Sequence, residues 1–256
     1  MRRADELRDA VEAYLGSLVF APELGRLEKT LRYALDSGGK RVRPVLCLAV
    51  AEASGAELEA ALPAAAAIEL VHTFSLVHDD LPALDDDDER RGRPSAHVAH
   101  GEGVALLAGD ALLVEAFRLA LAYEDPRVAR ELADATLGMI GGQHRDITGD
   151  DGELAEVERL KTGRLFVAAV GLGLLAAGVP DREHGGWRAF GEELGLLFQV
   201  VDDILDGDGF AERLGEEGAR ELADGAAKGA RAVLGGLAAD TSVLEELVEG
   251  LAVRTS

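Results

Sequence analysis

Residues 187–206 read as a helix that is apolar on nearly every side, and this restricts the fold more than any other stretch of the chain. Trp187, Phe190, Leu194, Leu197, Val201 and Ile204 recur at alternating steps of three and four, the spacing of a buried helical stripe. Phe198 and Leu205 extend that stripe around its flanks. At about 100° per residue, Gln199, Asp202 and Asp206 fall together on the remaining side, with Asp203 beside them. Uncompensated carboxylates on a buried helix are costly. The expectation is therefore a helical body enclosing a polar space in which a cation balances them; the other reading is an amphipathic helix whose acids face water.

A second acidic run, HDDLPALDDDDERRGRP, occupies 78–94. Taken alone, a block of like charges is commonly a solvated loop. Here, however, His72, Ser75 and Asp79 lie at steps of three and four, so one helix face aims a histidine and a carboxylate into one space. Pro82 disfavours continued helix through Leu81. Asp85 to Asp88 are therefore expected on an irregular turn that curls back over this face. Carboxylate oxygens suit Mg²⁺, which keeps waters and takes remaining ligands from substrate phosphates. Two acidic walls facing each other would hold a magnesium diphosphate between them.

The chain has 256 residues, 48% of them hydrophobic, and no obvious linker, enough for one large core. Ala, Leu, Glu and Arg dominate and alternating β-branched or aromatic runs are scarce, which predicts an all-α single domain. A net charge of −22 argues against nucleic acid or an anionic membrane as partner. It also repels a diphosphate at long range, so binding must rely on magnesium and on locally gathered bases. Lys29, Lys40, Lys161 and Lys228 are the only lysines, and two of them fall in motifs, GGKRVRP at 38–44 and KTGR at 161–164. Gly38 and Gly39 permit close backbone approach, Lys40 supplies a point charge and Arg43 a bidentate fork for phosphate oxygens. A plain helix connection is the alternative. Arg90 and Arg91 either neutralise Asp86 to Glu89 or hold a second anion.

Cys47 is the only cysteine, which rules out an intramolecular disulfide and points to an intracellular, cytoplasmic setting. Within VLCLAVA it reads as a buried small hydrophobe. The charged start MRRADELRDAVEAYL does not resemble a signal peptide. Leu165 to Val179 is apolar but short for a membrane span and contains Gly171, Gly173 and Gly178, so a core helix is expected.

Six motifs follow one another in order: GGKRVRP, the face carrying Glu69, His72 and Ser75, DDLPALDDDDERRG, GMIGGQHRDI at 138–147, KTGRLF and FQVVDDILD. On these residues, from Gly38 to Asp206, the chain resembles the trans-isoprenyl diphosphate synthases, the polyprenyl synthetases that include farnesyl and geranylgeranyl diphosphate synthases. The resemblance implies an antiparallel helical bundle around a deep central cavity, usually a homodimer, acting as a prenyltransferase. It implies Mg²⁺, with Mn²⁺ as a substitute, held by Asp79, Asp80 and Asp85 of the first motif and by Asp202 and Asp206 of the second, with Asp203 nearby. Lys40, Arg43, His72 and Arg91 match positions that bind isopentenyl diphosphate. Arg90, Lys161, Thr162 and Gln199 match positions that hold the allylic diphosphate.

The implied chemistry is ionisation of the allylic substrate, attack by the isopentenyl double bond and loss of a proton, with an apolar tunnel that excludes water. Phe74 and Ser75, the fifth and fourth residues before the first motif, match positions that set product length, and an aromatic followed by a small residue resembles enzymes making C15. Helical arithmetic fits less well, since Phe74 lies about 140° from Asp79 and Ser75 about 40°. After Asp206 the family usually continues with a lysine-bearing loop, and around 207–210 this chain runs almost directly into another helix. Arg213 is the nearest base that could substitute. Three readings remain at this level: an active short-chain synthase, an impaired homologue acting as a substrate-binding or partner subunit, and a class I terpene cyclase, which would not need GGKRVRP for a second diphosphate.

Overall fold

The computed structural model describes residues 2–36, 38–149 and 154–253. Twelve α-helices follow in order: α1 Ala4–Ser17, α2 Glu28–Leu35, α3 Val42–Ala53, α4 Leu58–Asp79, α5 Ala96–His100, α6 Glu102–Ala120, α7 Pro126–Thr148, α8 Leu154–Glu158, α9 Arg164–Ala176, α10 His184–Asp206, α11 Gly209–Leu234 and α12 Ser242–Ala252. Among the described residues the only sheet is a hairpin of Glu89–Arg90 with Arg93–Pro94. The fold is all-α, as the composition predicts.

At the centre lies α4, which packs on α3, α6 and α9, while α9 also meets α3, α7 and α10. The run Ala64 to Val71 is buried throughout, and its four alanines let neighbouring helices approach closely. By length and hydropathy α4 could cross a bilayer, but most of it is enclosed by other helices. Residues 165–175 lie in the core helix α9 and all but half-buried Val167 are buried. A side chain at Gly173 would collide with the Cys47 carbonyl, so glycine sets the approach of α9 to α3. Cys47 is fully buried, which pushes its thiol up and leaves it a packing residue.

The stripe of α10 faces the core as spaced: Trp187, Phe190, Leu194, Leu197 and Val201 are all buried. Its flanks are less enclosed than the sequence implies. Leu205 is 56% exposed, because the last turn of α10 projects at the mouth of a cavity. Gly207 and Asp208 alone join α10 to α11, Gly207 adopting the left-handed conformation (φ 77°) that ends the helix.

Candidate active site

A cavity of about 1010 Å³ opens between the C-terminal halves of α4 and α10, the segment before α3, and the turn before α9. On its α10 wall stand Gln199, Asp202, Asp203 and Asp206. They do different work. Asp202 is half-buried with Lys40 Nζ 3.8 Å away, and Asp206 is exposed at the mouth. Asp203 is buried; its carboxylate accepts from the Phe210 backbone N–H at 2.8 Å and from Gln199 Nε2 at 2.6 Å. It thus fixes the entry to α11, and a Cβ at Gly209, where φ is 47°, would strike it. Asp203 shapes the wall rather than presenting a free carboxylate.

Asp79, at the end of α4, lines a second pocket that adjoins this cavity. Asp79 is pushed up to about 6 chiefly by burial, opposed by the nearby Lys161 and assisted by Asp85. The chain then turns back as Pro82 predicts, with the Asp85 N–H donating to the Asp79 carbonyl at 2.8 Å and the Asp85 side chain exposed. Asp80 departs from its expected metal-binding place. It is 2% exposed and is held by Arg90, whose Nε donates to it at 2.9 Å. One residue along a helix turns a side chain by about 100°, so neighbouring Asp79 and Asp80 face different spaces. Arg90 also pairs with Asp87 at 3.0 Å, which engages much of its guanidinium while it still borders the cavity.

Lys40, Arg43, His72 and Arg91 also line this cavity. Gly39 (φ 135°) makes the crossing possible, because any Cβ there would overlap the Arg91 guanidinium, which donates to the Gly38 carbonyl. Arg43 lies over the rings of Phe166 and Phe198 at 4.8 and 5.5 Å, with His72 Nε2 3.3 Å from its Nη1. Burial depresses Arg43 to about 10, and the His72 imidazole is driven well below its ordinary value by burial and by Arg43. A neutral His72 accepts from Arg43. The buried Arg43 Nε has no hydrogen-bond partner, an orphan donor in a space lined with bases.

Lys161 and Thr162 reach the cavity from a π-helical turn, Arg159–Gly163. Such turns displace side chains from ordinary helical register and recur at functional sites. Gly142 on α7 admits this turn, since a Cβ there would strike the Lys161 backbone. Lys161 Nζ donates to Asp146 at 2.5 Å.

Several residues here escaped the sequence reading. Arg41 binds Glu12 at 2.7 Å, Glu69 at 2.5 Å and the Leu35 carbonyl at 2.6 Å, tying α1, α2 and α4 beneath the cavity. Losing one partner of the buried Arg41–Glu69 pair would cost about 3–5 kcal/mol. Glu158 also lines the cavity, with burial and Asp203 raising it to about 7. Position within KRVRP and QHRDI was the available signal for Arg41 and Asp146; Glu158 gave none.

An apolar pocket of about 450 Å³ adjoins the polar cavity, and Arg43, His72, Leu76, Lys161 and Thr162 line both. Asp79, Phe74 and Ser75 all reach it, so the wheel angle between Phe74 and Asp79 does not separate them: the pocket wraps around α4. Gln143 contributes an amide whose nitrogen and oxygen are buried without partners. Arg213 is exposed on α11 and outside the cavity lining, which removes it as a substitute for a lid lysine.

No group of three His, Cys, Asp or Glu side chains forms a metal cage among the described residues. The site offers carboxylates on α10 and at the end of α4, hard donors that suit Mg²⁺ when phosphate oxygens and waters complete its shell. The orphan Arg43 Nε and the gathered bases supply the matching anion site. Magnesium therefore fits as a bridge between protein and a polyphosphate.

The polyprenyl synthetase family model matches residues 25–230. A farnesyl diphosphate synthase of Bacillus subtilis is 36% identical over 89% of this chain and 88% of its own length. A geranylgeranyl diphosphate synthase of Cyanophora paradoxa is 41% identical over 75% of this chain and 69% of its own. The crystal structure of a geranyltransferase from Legionella pneumophila superposes with a TM-score of 0.88 at 33% identity, covering 98% of this chain and 96% of that one. By the family match over most of its length and by its likeness to these synthases in sequence and fold, the chain belongs to the polyprenyl synthetase family.

Proposed function

We propose that this prenyltransferase condenses isopentenyl diphosphate head to tail with dimethylallyl or geranyl diphosphate and stops at a C15 product. One observation carries the reading: two differently built anion subsites share a cavity that opens into one apolar pocket. Lys40, Arg43, His72 and Arg91 form the first, for isopentenyl diphosphate. Asp202, Asp206, Lys161 and Thr162 line the second, for the allylic diphosphate, with Arg90 and Gln199 beside them, Asp79 on the adjoining pocket and Asp85 on the turn after α4. A terpene cyclase binds one diphosphate and has no use for the first subsite.

Bound among these carboxylates, Mg²⁺ would supply neutralising charge for the departing diphosphate. Lys161 adds a fixed positive charge beside Asp79 and Asp85. Arg43 and Lys40 hold the isopentenyl diphosphate so that its double bond meets the allylic carbon. Phe74, Leu76, Met139 and Leu165 keep water from the cation. No protein nucleophile is needed, and the departing diphosphate can take the proton.

Incubation with labelled isopentenyl diphosphate, each allylic diphosphate and Mg²⁺ tests the reading. C15 product is expected; binding without extension would favour the impaired homologue, and hydrocarbon from one allylic substrate alone a cyclase. Phe74 carries the length assignment. Buried at the pocket, it stands about 7.5 Å along α4 from Asp79. Phe74→Ala should lengthen the product by one five-carbon unit, read by chromatography of the dephosphorylated alcohols. An unchanged product from a folded, active variant would make Phe74 ordinary packing.

The enzyme is further proposed to be a homodimer in the cytoplasm. Leu106, Leu107 and Val114 on α6 and Leu137 on α7 are each 47–67% exposed, apolar side chains on a chain of charge −22 that call for cover. Light scattering should give twice the chain mass, and Leu107→Glu should shift it towards one.

A further inference from the structure

The wall of the apolar pocket holds a polar ring that the reaction does not use. His78 lines the pocket beside Phe74 and Ser75. Its ring meets Phe74 edge to face, with centroids 5.0 Å apart and planes at 77°. His78 Nε2 lies 2.9 Å from the Leu106 carbonyl of α6. A carbonyl only accepts, so Nε2 carries the hydrogen and the ring is fixed in one orientation. Below it the helix presents Gly109, where a Cβ would overlap the imidazole. The ring is thus keyed into α6 on one side and braces Phe74 on the other.

We propose that His78 is a positioning residue for product length: seated against Gly109 and bonded to the Leu106 carbonyl, it holds the Phe74 ring across the path of the growing chain. The inference rests on the proposed condensation and adds to it the part that makes Phe74 an effective stop. An isolated aromatic can rotate about its side-chain bonds; one packed edge to face against an anchored ring is held. Removing the brace should let Phe74 swing into the vacated space and deepen the pocket. Enlarging Gly109 should do the reverse, driving the imidazole towards Phe74 and the pocket.

The test compares wild type with His78→Ala, His78→Gln and Gly109→Ala in two measurements. One is the product distribution; the other is Mg²⁺-dependent binding of the non-ionising geranyl, farnesyl and geranylgeranyl thiolodiphosphates. His78→Ala should raise the C20-to-C15 product ratio about tenfold and shift the length at which binding falls off upwards by one five-carbon unit. His78→Gln keeps a donor for Leu106 but lacks the ring edge, and should shift in the same direction. Gly109→Ala should shift the binding cut-off downwards. A histidine needed only for folding would lower yield or melting temperature without moving either length readout. Wild-type extension with the same cut-off in all three variants would overturn the role of His78 and leave the condensation standing. A wild type that neither extends nor binds any of the analogues would overturn the condensation, and this inference with it.

Discussion

Asp79→Asn and Asp202→Asn should each lower turnover by about 1,000-fold or more, roughly 4 kcal/mol of transition-state stabilisation, while the helical fold persists. Each substitution keeps shape and removes charge. In wild type Asp79 ends α4 and Asp202 stands near the end of α10, and burial pushes Asp79 up, which makes its charge costly where no cation balances it. Loss of that charge relieves the folded state and deprives the leaving diphosphate of its counter-ion bridge. Circular dichroism and melting should show a folded protein of equal or greater stability, and steady-state kinetics the lost turnover. Asp80→Asn should behave differently. Its partner is Arg90 rather than the cavity, so the variant should lose stability and keep more activity than either neighbour.

Arg43→Met carries the second large effect, in opposite directions for function and stability. A buried guanidinium depressed to about 10 pays for its enclosure with something on the order of 3 kcal/mol at neutral pH. The sign follows from a cation whose folded-state value lies below its ordinary one: below about 10 the group is charged in both states and the cost is fully present, and it falls away as pH rises from there towards the ordinary value. Contacts with Phe166 and Phe198 return part of this. Methionine fills much of the stem's volume without the charge. The KM for isopentenyl diphosphate should rise about 100-fold, as expected for a lost charge-assisted fork. The melting temperature should rise by about 3 °C for each net 1 kcal/mol gained. A variant with unchanged KM would place the isopentenyl subsite elsewhere.

Helix-bearing information was local enough to read directly. The stripe from Trp187 to Val201 packs as its spacing implies, and Pro82 does end α4 and return Asp85 to the Asp79 carbonyl. What the chain alone could not show depends on neighbours distant in sequence. Asp80 and Asp203 are written as parts of two aspartate pairs, but Arg90 claims one and the start of α11 the other. Leu205 looks like core by composition and is exposed because its turn ends at an opening. Lys161 reaches the cavity through a π turn admitted by Gly142, a geometry that neither a helical wheel nor a motif encodes. Phe74 was set apart from Asp79 by wheel angle, and the pocket joins them because it follows the curve of α4. Periodicity therefore located the helices and most of the walls, while packing decided which carboxylates remain available to a ligand.

The central claim is that the carboxylates at the ends of α4 and α10 bind a divalent cation together only when a diphosphate lies between them. Electron paramagnetic resonance of Mn²⁺ tests it, by titrating the metal against the purified chain with and without inorganic diphosphate. Weak binding of metal alone is expected, because no preformed cage exists among the described residues. Diphosphate should tighten Mn²⁺ about tenfold or more, a coupling of at least ~1.4 kcal/mol, and Asp79→Asn with Asp202→Asn together should abolish the gain. Mn²⁺ affinity indifferent to diphosphate, or a gain that survives loss of both carboxylates, would contradict the metal-bridged site.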